Sequence, residues 1–280
     1  MKRTQGLVTS LVIFSFGLAL VLSTPSQAQV TIAQISDIHI GEPRASNAIE
    51  NLRDAVDMVN ARHPDAVIVT GDIGENDKDW DTAKGVLKWL KAPVYYAAGN
   101  HDVHTRDVDR YRSAFGDDYY RFEVKGIDFI VIDSQLLGNY EEYDAESPLP
   151  LPSAAGEESK KMLAWLDQQV GSEHRHITIG VQHIPAFRDN GFPDPRHPYW
   201  VISEPYRSQE LDLIHKLGIK HMLVGHWHNG RVFDQAGVTW HVAPATSWLP
   251  WGGELGFAVH TITPDGNVAT EFIKLRHTDR

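Results

Sequence analysis

The chain has 280 residues, 42% hydrophobic and 22% charged, which is enough apolar material for one large core or two small ones. A net charge of −11 argues against non-specific binding to nucleic acid or anionic lipid. The absence of cysteine excludes a disulfide framework, a thiolate metal site and lipid attachment at a Cys, whereas fifteen histidines are a high count.

The first segment reads as a targeting signal. Met1-Lys2-Arg3 is positive, residues 7–22 are apolar, Pro25 breaks the run, and Ser26-Gln27-Ala28 ends in small residues. This predicts a signal peptide over 1–28 cleaved after Ala28, and hence an exported, periplasmic or secreted protein with no stable membrane association afterwards. An uncleaved anchor is the alternative, although the run is short for a span of about 20 residues. Cleavage removes Lys2 and Arg3 and takes the net charge to −13. Residues 29–280 then read as one domain without internal repeats.

Strands are expected at 30–35, 66–70 and 94–98, with helices at 45–61 and 80–91 between them, the first marked by Ile49, Leu52, Val56 and Val59 on one face. This β-α-β-α-β order implies a layered α/β fold. Strands at 119–124 and 127–133 meet at the hairpin signal Lys125-Gly126. The acidic, Pro-rich stretch 141–152 reads as an exposed loop. A helix follows at 156–170, with Glu157 and Lys161 spaced to pair at i,i+4. After a strand at 177–181, residues 184–207 read as a long ordered loop. A helix at 208–217 stops at Gly218, and strands at 221–224, 238–242, 257–262 and 268–275 complete the chain, the last pair turning at Pro264-Asp265-Gly266-Asn267.

Polar residues interrupt this pattern at the C-terminal ends of the apolar runs. I-S-D-I-H places Asp37 and His39 after the first strand, and V-T-G-D places Asp72 after the second. A-A-G-N-H-D places Asn100, His101 and Asp102 after the third, V-Q-H gives His183, and G-H-W-H gives His226 and His228. Ligands bind at this edge in open α/β sheets. Taken singly, each piece also fits a core histidine or a turn carboxylate. H-x-H is stronger, because alternation puts His226 and His228 on one side of an extended segment. An oxygen and imidazole inventory of this kind suits two divalent or trivalent ions of the manganese, iron, zinc or cobalt type. One shared carboxylate can bridge such a pair, and the pair can activate a bridging water for in-line attack at phosphorus.

In order, D-x-H, G-D, G-N-H-D, an isolated H and G-H-x-H resemble the signature of the calcineurin-like metallophosphoesterases. The resemblance implies a four-layer α-β-β-α sandwich with two metal ions at one sheet edge. It implies that Asp37, His39 and His228 hold the first ion, that Asp72 bridges, and that Asn100, His183 and His226 hold the second. It makes His101 a catalytic group acting on the phosphate or the leaving oxygen, oriented by Asp102. G-D-D-Y-Y (116–120), D-S-Q (133–135), Q-H-I-P (182–185) and G-E-L-G-F (253–257) are similar to the single-domain branch related to a eukaryotic serine/threonine phosphatase. Many phosphodiesterases have His-His where this chain has Gln182-His183. Purple acid phosphatases have a tyrosine where this chain has Glu75, so a ferric-tyrosinate site is not expected.

Three activities follow as alternatives: a phosphomonoesterase acting on phosphoproteins or small esters, which is favoured; a phosphodiesterase for cyclic nucleotides or glycerophosphodiesters; and a non-catalytic metal-binding module. Candidates for substrate selection are His104, Arg106, Arg188, Arg196, Tyr199, Trp200 and the W-L-P-W-G-G segment 248–253. Each of these also reads as an ordinary solvated or packing residue. His241 and His260 lie inside expected strands and read as structural.

Overall fold

The computed structural model describes residues 29–103, 108–171, 177–194 and 197–276. The expected signal peptide and its cleavage site lie outside these residues, as do His104, Arg106 and Arg196. Among the described residues no helix is long and apolar enough to cross a membrane.

The first half alternates β1 (Val30–Ile35), α1 (Ala48–Arg62), β2 (Ala66–Thr70), α2 (Asp77–Leu87) and β3 (Val94–Ala97). Then come α3 (Val108–Phe115), β4 (Tyr120–Val124), β5 (Ile127–Val131), α4 (Ser153–Gln169), β6 (Ile177–Val181), α5 (Tyr206–Lys216) and β7 (His221–Val224). The chain closes with β8 (Arg231–Gln235), β9 (Val238–Val242), β10 (Gly256–Ile262) and β11 (Val268–Lys274). One sheet has the order β11-β10-β1-β2-β3 and the other β4-β5-β6-β7-β9-β8.

Period-2 alternation in strands buried on both faces builds the layers. On β2, Ala66 and Ile68 face the inter-sheet core with Phe129, Val131 and Ile179. Val67 and Val69 face the other way, toward Leu52 and Val56 of α1 and Ala83 of α2. On β5, Ile130 packs outward with Met162 and Leu166 of α4 and Ile214 of α5. The result is helices, sheet, sheet, helices, the sandwich that the family resemblance implies.

Some elements differ from the sequence expectation. α3 and β8 are additional. Only Val108 and Tyr111 of α3 are buried, and β8 is a half-exposed edge strand, so neither carries an apolar run. α2 starts earlier, because the Asn76 side chain accepts hydrogen bonds from the backbone N–H of Lys78 and Asp79. It also stops earlier, where Asn60 ties down Trp89 and Lys91. Glu157 pairs with Lys160 at 2.6 Å rather than with Lys161, which pairs with Glu158 at 2.5 Å. These i,i+3 contacts are solvent-exposed, where such pairs contribute little.

A polar seam crosses between the sheets. His221 Nδ1 and His241 Nε2 lie 3.0 Å apart, and His241 Nδ1 is 2.7 Å from Thr270 Oγ1. Thr270 Oγ1 is 2.9 Å from His260 Nδ1, and His260 Nε2 is 2.9 Å from Gln34 Oε1. Gln34 Nε2 donates to Thr70 Oγ1 and to the Val224 carbonyl. Because Gln34 Oε1 only accepts, His260 carries its proton on Nε2, and the Thr270 hydroxyl donates to His260 Nδ1. His241 then donates from Nδ1, and His221 donates to His241. Both ring nitrogens of His241 and of His260 are satisfied when these imidazoles are neutral, so the two are structural, as their positions in the sequence suggest.

Candidate metal centre

The five motif segments leave the C-terminal ends of β1, β2, β3, β6 and β7. β1, β2 and β3 run parallel in one sheet and β5, β6 and β7 in the other, so these ends converge. The loops continue to pair beyond the strands: Asp37 N–H donates to the Gly71 carbonyl and His39 N–H to that of Asp72. Thr246 N–H donates to the Ser36 carbonyl, joining the two sheets.

The backbone at the centre is strained. Asp37, His39, Asp72, His226 and His228 have φ of 53°, 49°, 52°, 71° and 58°, the left-handed region that costs a residue with a Cβ about 1 kcal/mol or more. The motif glycines have a different cause. A Cβ on Gly99 would lie 2.2 Å from Asp72 Oδ1, and one on Gly225 would lie 2.1 Å from Ser36 Oγ. The loops therefore touch backbone to side chain at G-N-H-D and G-H-W-H.

Three groups of donor atoms converge here; His39, Glu75 and His101 form a partly buried one, and the two fully buried groups share Asp72. Asp37, His39, Asp72 and His228 converge in the first of these two, and Asp72, His183 and His226 in the second. The ring nitrogens are oriented by acceptors behind them. His183 Nδ1 donates to the Thr70 carbonyl at 2.6 Å, and His228 Nδ1 to that of Trp248 at 2.8 Å, which leaves each Nε2 as a lone pair aimed inward. His226 donates from Nε2 to the Tyr199 carbonyl at 3.0 Å, so its inward donor is Nδ1. His39 Nε2 and His228 Nε2 stand 3.1 Å apart. Two nitrogens each about 2.1 Å from one ion lie roughly 3 Å from each other.

The set fits two cations. Asp72 Oδ2, Asn100 Oδ1 and His183 Nε2 are buried without a hydrogen-bond partner among the described residues, and buried polar atoms seldom lack one. Asp72 Oδ1 accepts the His101 N–H at 2.8 Å, which turns Oδ2 toward both donor groups. Asn100 Nδ2 donates to the Tyr199 hydroxyl at 2.8 Å, which fixes its oxygen inward. Burial would lower the His183 pKa, but Asp72 and Asp37 outweigh it and raise it to about 9, so a cation bound at Nε2 would take the place of that proton. Burial opposes charge on Asp37, but His228 and His183 hold its carboxyl down to about 2. Asp72 is likewise buried, yet His183 and His101 hold it well below the carboxylate range. Burial and the neighbouring His183 push His226 down to about 3, leaving it neutral and able to bind metal.

His101 lies beside this cluster, with its ring edge-on to His39. Its Nδ1 is 2.9 Å from Glu75 Oε1 and 3.1 Å from Oε2. Burial would lower its pKa, but Asp72 and Glu75 outweigh that and raise it to about 9. A cation held by Asp72 offsets part of this pull. The expectation that Asp102 orients His101 is corrected. Asp102 accepts N–H bonds from Gly99 at 3.0 Å, Ile73 at 2.9 Å and Gly74 at 3.3 Å, and from the Trp80 indole at 3.2 Å. It clamps the loop after β2 to the loop after β3, and Glu75 occupies the place expected of it behind the imidazole. Glu75→Gln is expected to lower kcat about tenfold with KM nearly unchanged, measured by steady-state hydrolysis at saturating metal. A rise in KM alone would show that Glu75 only shapes the cleft.

A cleft of about 560 Å³ opens over the cluster, walled by Tyr143, Tyr199, Trp200, Trp248 and Trp251. Arg188 does not line it; its guanidinium donates to the His197 carbonyl inside the loop. The cleft arginine is Arg44, which sequence reasoning missed because G-E-P-R reads as a plain turn.

Residues 30–230 match the family described as calcineurin-like phosphoesterase. The chain is a calcineurin-like phosphoesterase. This phosphoesterase is 27% identical over 225 residues to a probable cyclic nucleotide phosphodiesterase of Fibrobacter succinogenes, covering 77% of this chain and 79% of that one. It is 28% identical over 190 residues to the human serine/threonine-protein phosphatase CPPED1, covering 62% of this chain and 56% of that protein. The match thus spans little more than half the length of that relative. A dimetal phosphatase from Danio rerio superimposes with a TM-score of 0.62 at 16% identity, over 88% of this chain and 99% of the other. At that identity the likeness is one of fold.

Proposed function

We propose that this phosphoesterase hydrolyses phosphate esters, with monoesters of small molecules or phosphoproteins ahead of diesters. Asp37, His39 and His228 would hold one ion of manganese, iron, zinc or cobalt, Asn100, His183 and His226 a second, and Asp72 both. Bound there, two such ions would supply Lewis acidity toward phosphoryl oxygens and would acidify water enough for it to attack at neutral pH. The observation that carries the reading is His101, set between the donor cluster and Glu75. With Nδ1 on Glu75, proton exchange with a substrate falls to Nε2, and the carboxylate stabilises the imidazolium that donates to the leaving oxygen. Asp102 acts indirectly, by fixing the two loops that carry Asp72 and His101. Diester hydrolysis is the second reading, favoured by the likeness to a probable cyclic nucleotide phosphodiesterase. On the strength of residues 1–28 the proposal includes export, so that the substrates are extracytoplasmic.

The test reloads stripped protein with each metal and compares 4-nitrophenyl phosphate with its bis-ester. The expected result is metal-dependent turnover with kcat/KM at least about tenfold higher for the monoester; the reverse ratio selects the diesterase. His101→Ala is expected to cost about 100-fold or more on an alkyl phosphate and less on the nitrophenyl ester, whose leaving group needs no proton. Equal losses on both would remove His101 as the acid. Bound metal without turnover of any ester would leave a binding module.

A further inference from the structure

Arg44 is built into the rim of the cleft. Its Nε donates to Glu42 Oε1 at 2.7 Å, and its backbone N–H donates to the same oxygen at 3.1 Å. Its guanidinium lies 4.2 Å from the centre of the Trp248 ring. Trp248 is itself fixed to the metal centre: its carbonyl accepts His228 Nδ1, and its ring packs edge-on to His228 at 4.7 Å. The arginine plane is thus fixed from two sides, and its Nη1/Nη2 edge carries no ion pair or hydrogen bond among the described residues. Its side chain is 60% exposed while Glu42 is 11% exposed, so the carboxylate is enclosed and the cation faces outward. Arg44 is the one Lys or Arg side chain lining this cleft among the described residues.

A planar guanidinium held by stacking and by Nε presents two parallel N–H donors, the geometry that binds carboxylate or phosphate in a bidentate way. Trp248 stands between Arg44 and the donor cluster, so this edge addresses a different part of the ligand from the phosphoryl group at Asp72 and Asn100. Building on the phosphatase reading, we propose that Arg44 is a specificity-determining residue that binds a second oxyanion of the substrate. The substrate class is then phosphate esters whose alcohol portion carries a further carboxylate or phosphate.

The experiment compares phenyl phosphate with its 3- and 4-carboxy derivatives and its 4-phosphono derivative. In the wild type, KM for the best dianionic probe is expected at least tenfold below that for phenyl phosphate, and the carboxy and phosphono arms tell which oxyanion is preferred. In Arg44→Ala the ratio between probes collapses to near one, whatever happens to phenyl phosphate itself. Arg44→Lys recovers part of it, since an ammonium has no bidentate edge. Quenching of tryptophan fluorescence by phenylphosphonate and carboxyphenylphosphonate reads the same ratio as binding. If no ester turns over, the phosphatase reading fails while the phosphonates still report on Arg44. A wild-type ratio near one for every anionic probe, or a ratio unchanged in Arg44→Ala, would overturn the proposal.

Discussion

Asp72→Asn is expected to lower ester turnover by roughly 10³-fold or more and to reduce the metal content of the purified protein below two ions per chain. Loss of a partner behind a ligand typically costs 10–100-fold, and Asp72 stands in front, shared by both donor groups. Asparagine has nearly the same shape and keeps an oxygen for the His101 N–H, which Asp72 Oδ1 accepts at 2.8 Å. The fold should therefore survive while the anionic Oδ2 between His39 and His183 disappears; these nitrogens lie 3.4 Å and 3.2 Å from it. Because His183 and His101 stabilise the Asp72 charge against its burial, removing that charge is also expected to lower the melting temperature of the metal-stripped variant relative to stripped wild type. Elemental analysis, steady-state kinetics and a thermal melt separate these effects. Two ions per chain with turnover intact would sink the shared-ligand role.

How much of this was legible in the sequence depends on distance along the chain. Each metal-ligand candidate ends an apolar run, and parallel strands carry their C-terminal ends to one edge, so the cluster can be assembled from order and pattern alone. The residues behind the ligands cannot. Glu75 sits three residues after Asp72 and reads as an acidic loop residue; only the approach of the loop after β3 gives it His101. Asp102 misleads for the opposite reason. It adjoins His101 in sequence, but the turn sends its side chain back to the N–H groups of Gly99, Ile73 and Gly74. Arg44 depends on Trp248, about two hundred residues away, and a contact that remote leaves no local trace. Similarly, α3 and β8 bury too few side chains to leave a periodic pattern.

Acid is expected to destabilise the fold through the inter-sheet seam. Burial pushes His241 down to about 4, helped by His221, and pushes His260 well below the usual imidazole range, helped by His241. The unfolded chain titrates these rings near 6.5, so below that pH it takes up protons that the folded chain refuses. The stability they contribute is complete above pH 6.5 and is lost as pH falls, at about 1.4 kcal/mol per unit for each ring, or about 3 kcal/mol for His241 by pH 4. Metal ligands also gain protons in this range, so the informative quantity is a difference between chains at equal metal concentration. His260→Gln can still donate to Gln34 and accept from Thr270 but cannot titrate. Its urea-unfolding free energy should therefore fall less steeply than that of wild type between pH 6.5 and 5. His260→Ala should cost about 2 kcal/mol or more at pH 7, because Gln34 Oε1 loses its donor in a closed core. Equal pH slopes for wild type and His260→Gln would show that the seam does not set acid stability. Because Gln34 continues to Thr70, whose carbonyl orients His183, His260→Ala should also weaken metal binding at the second donor group, while His260→Gln should preserve it.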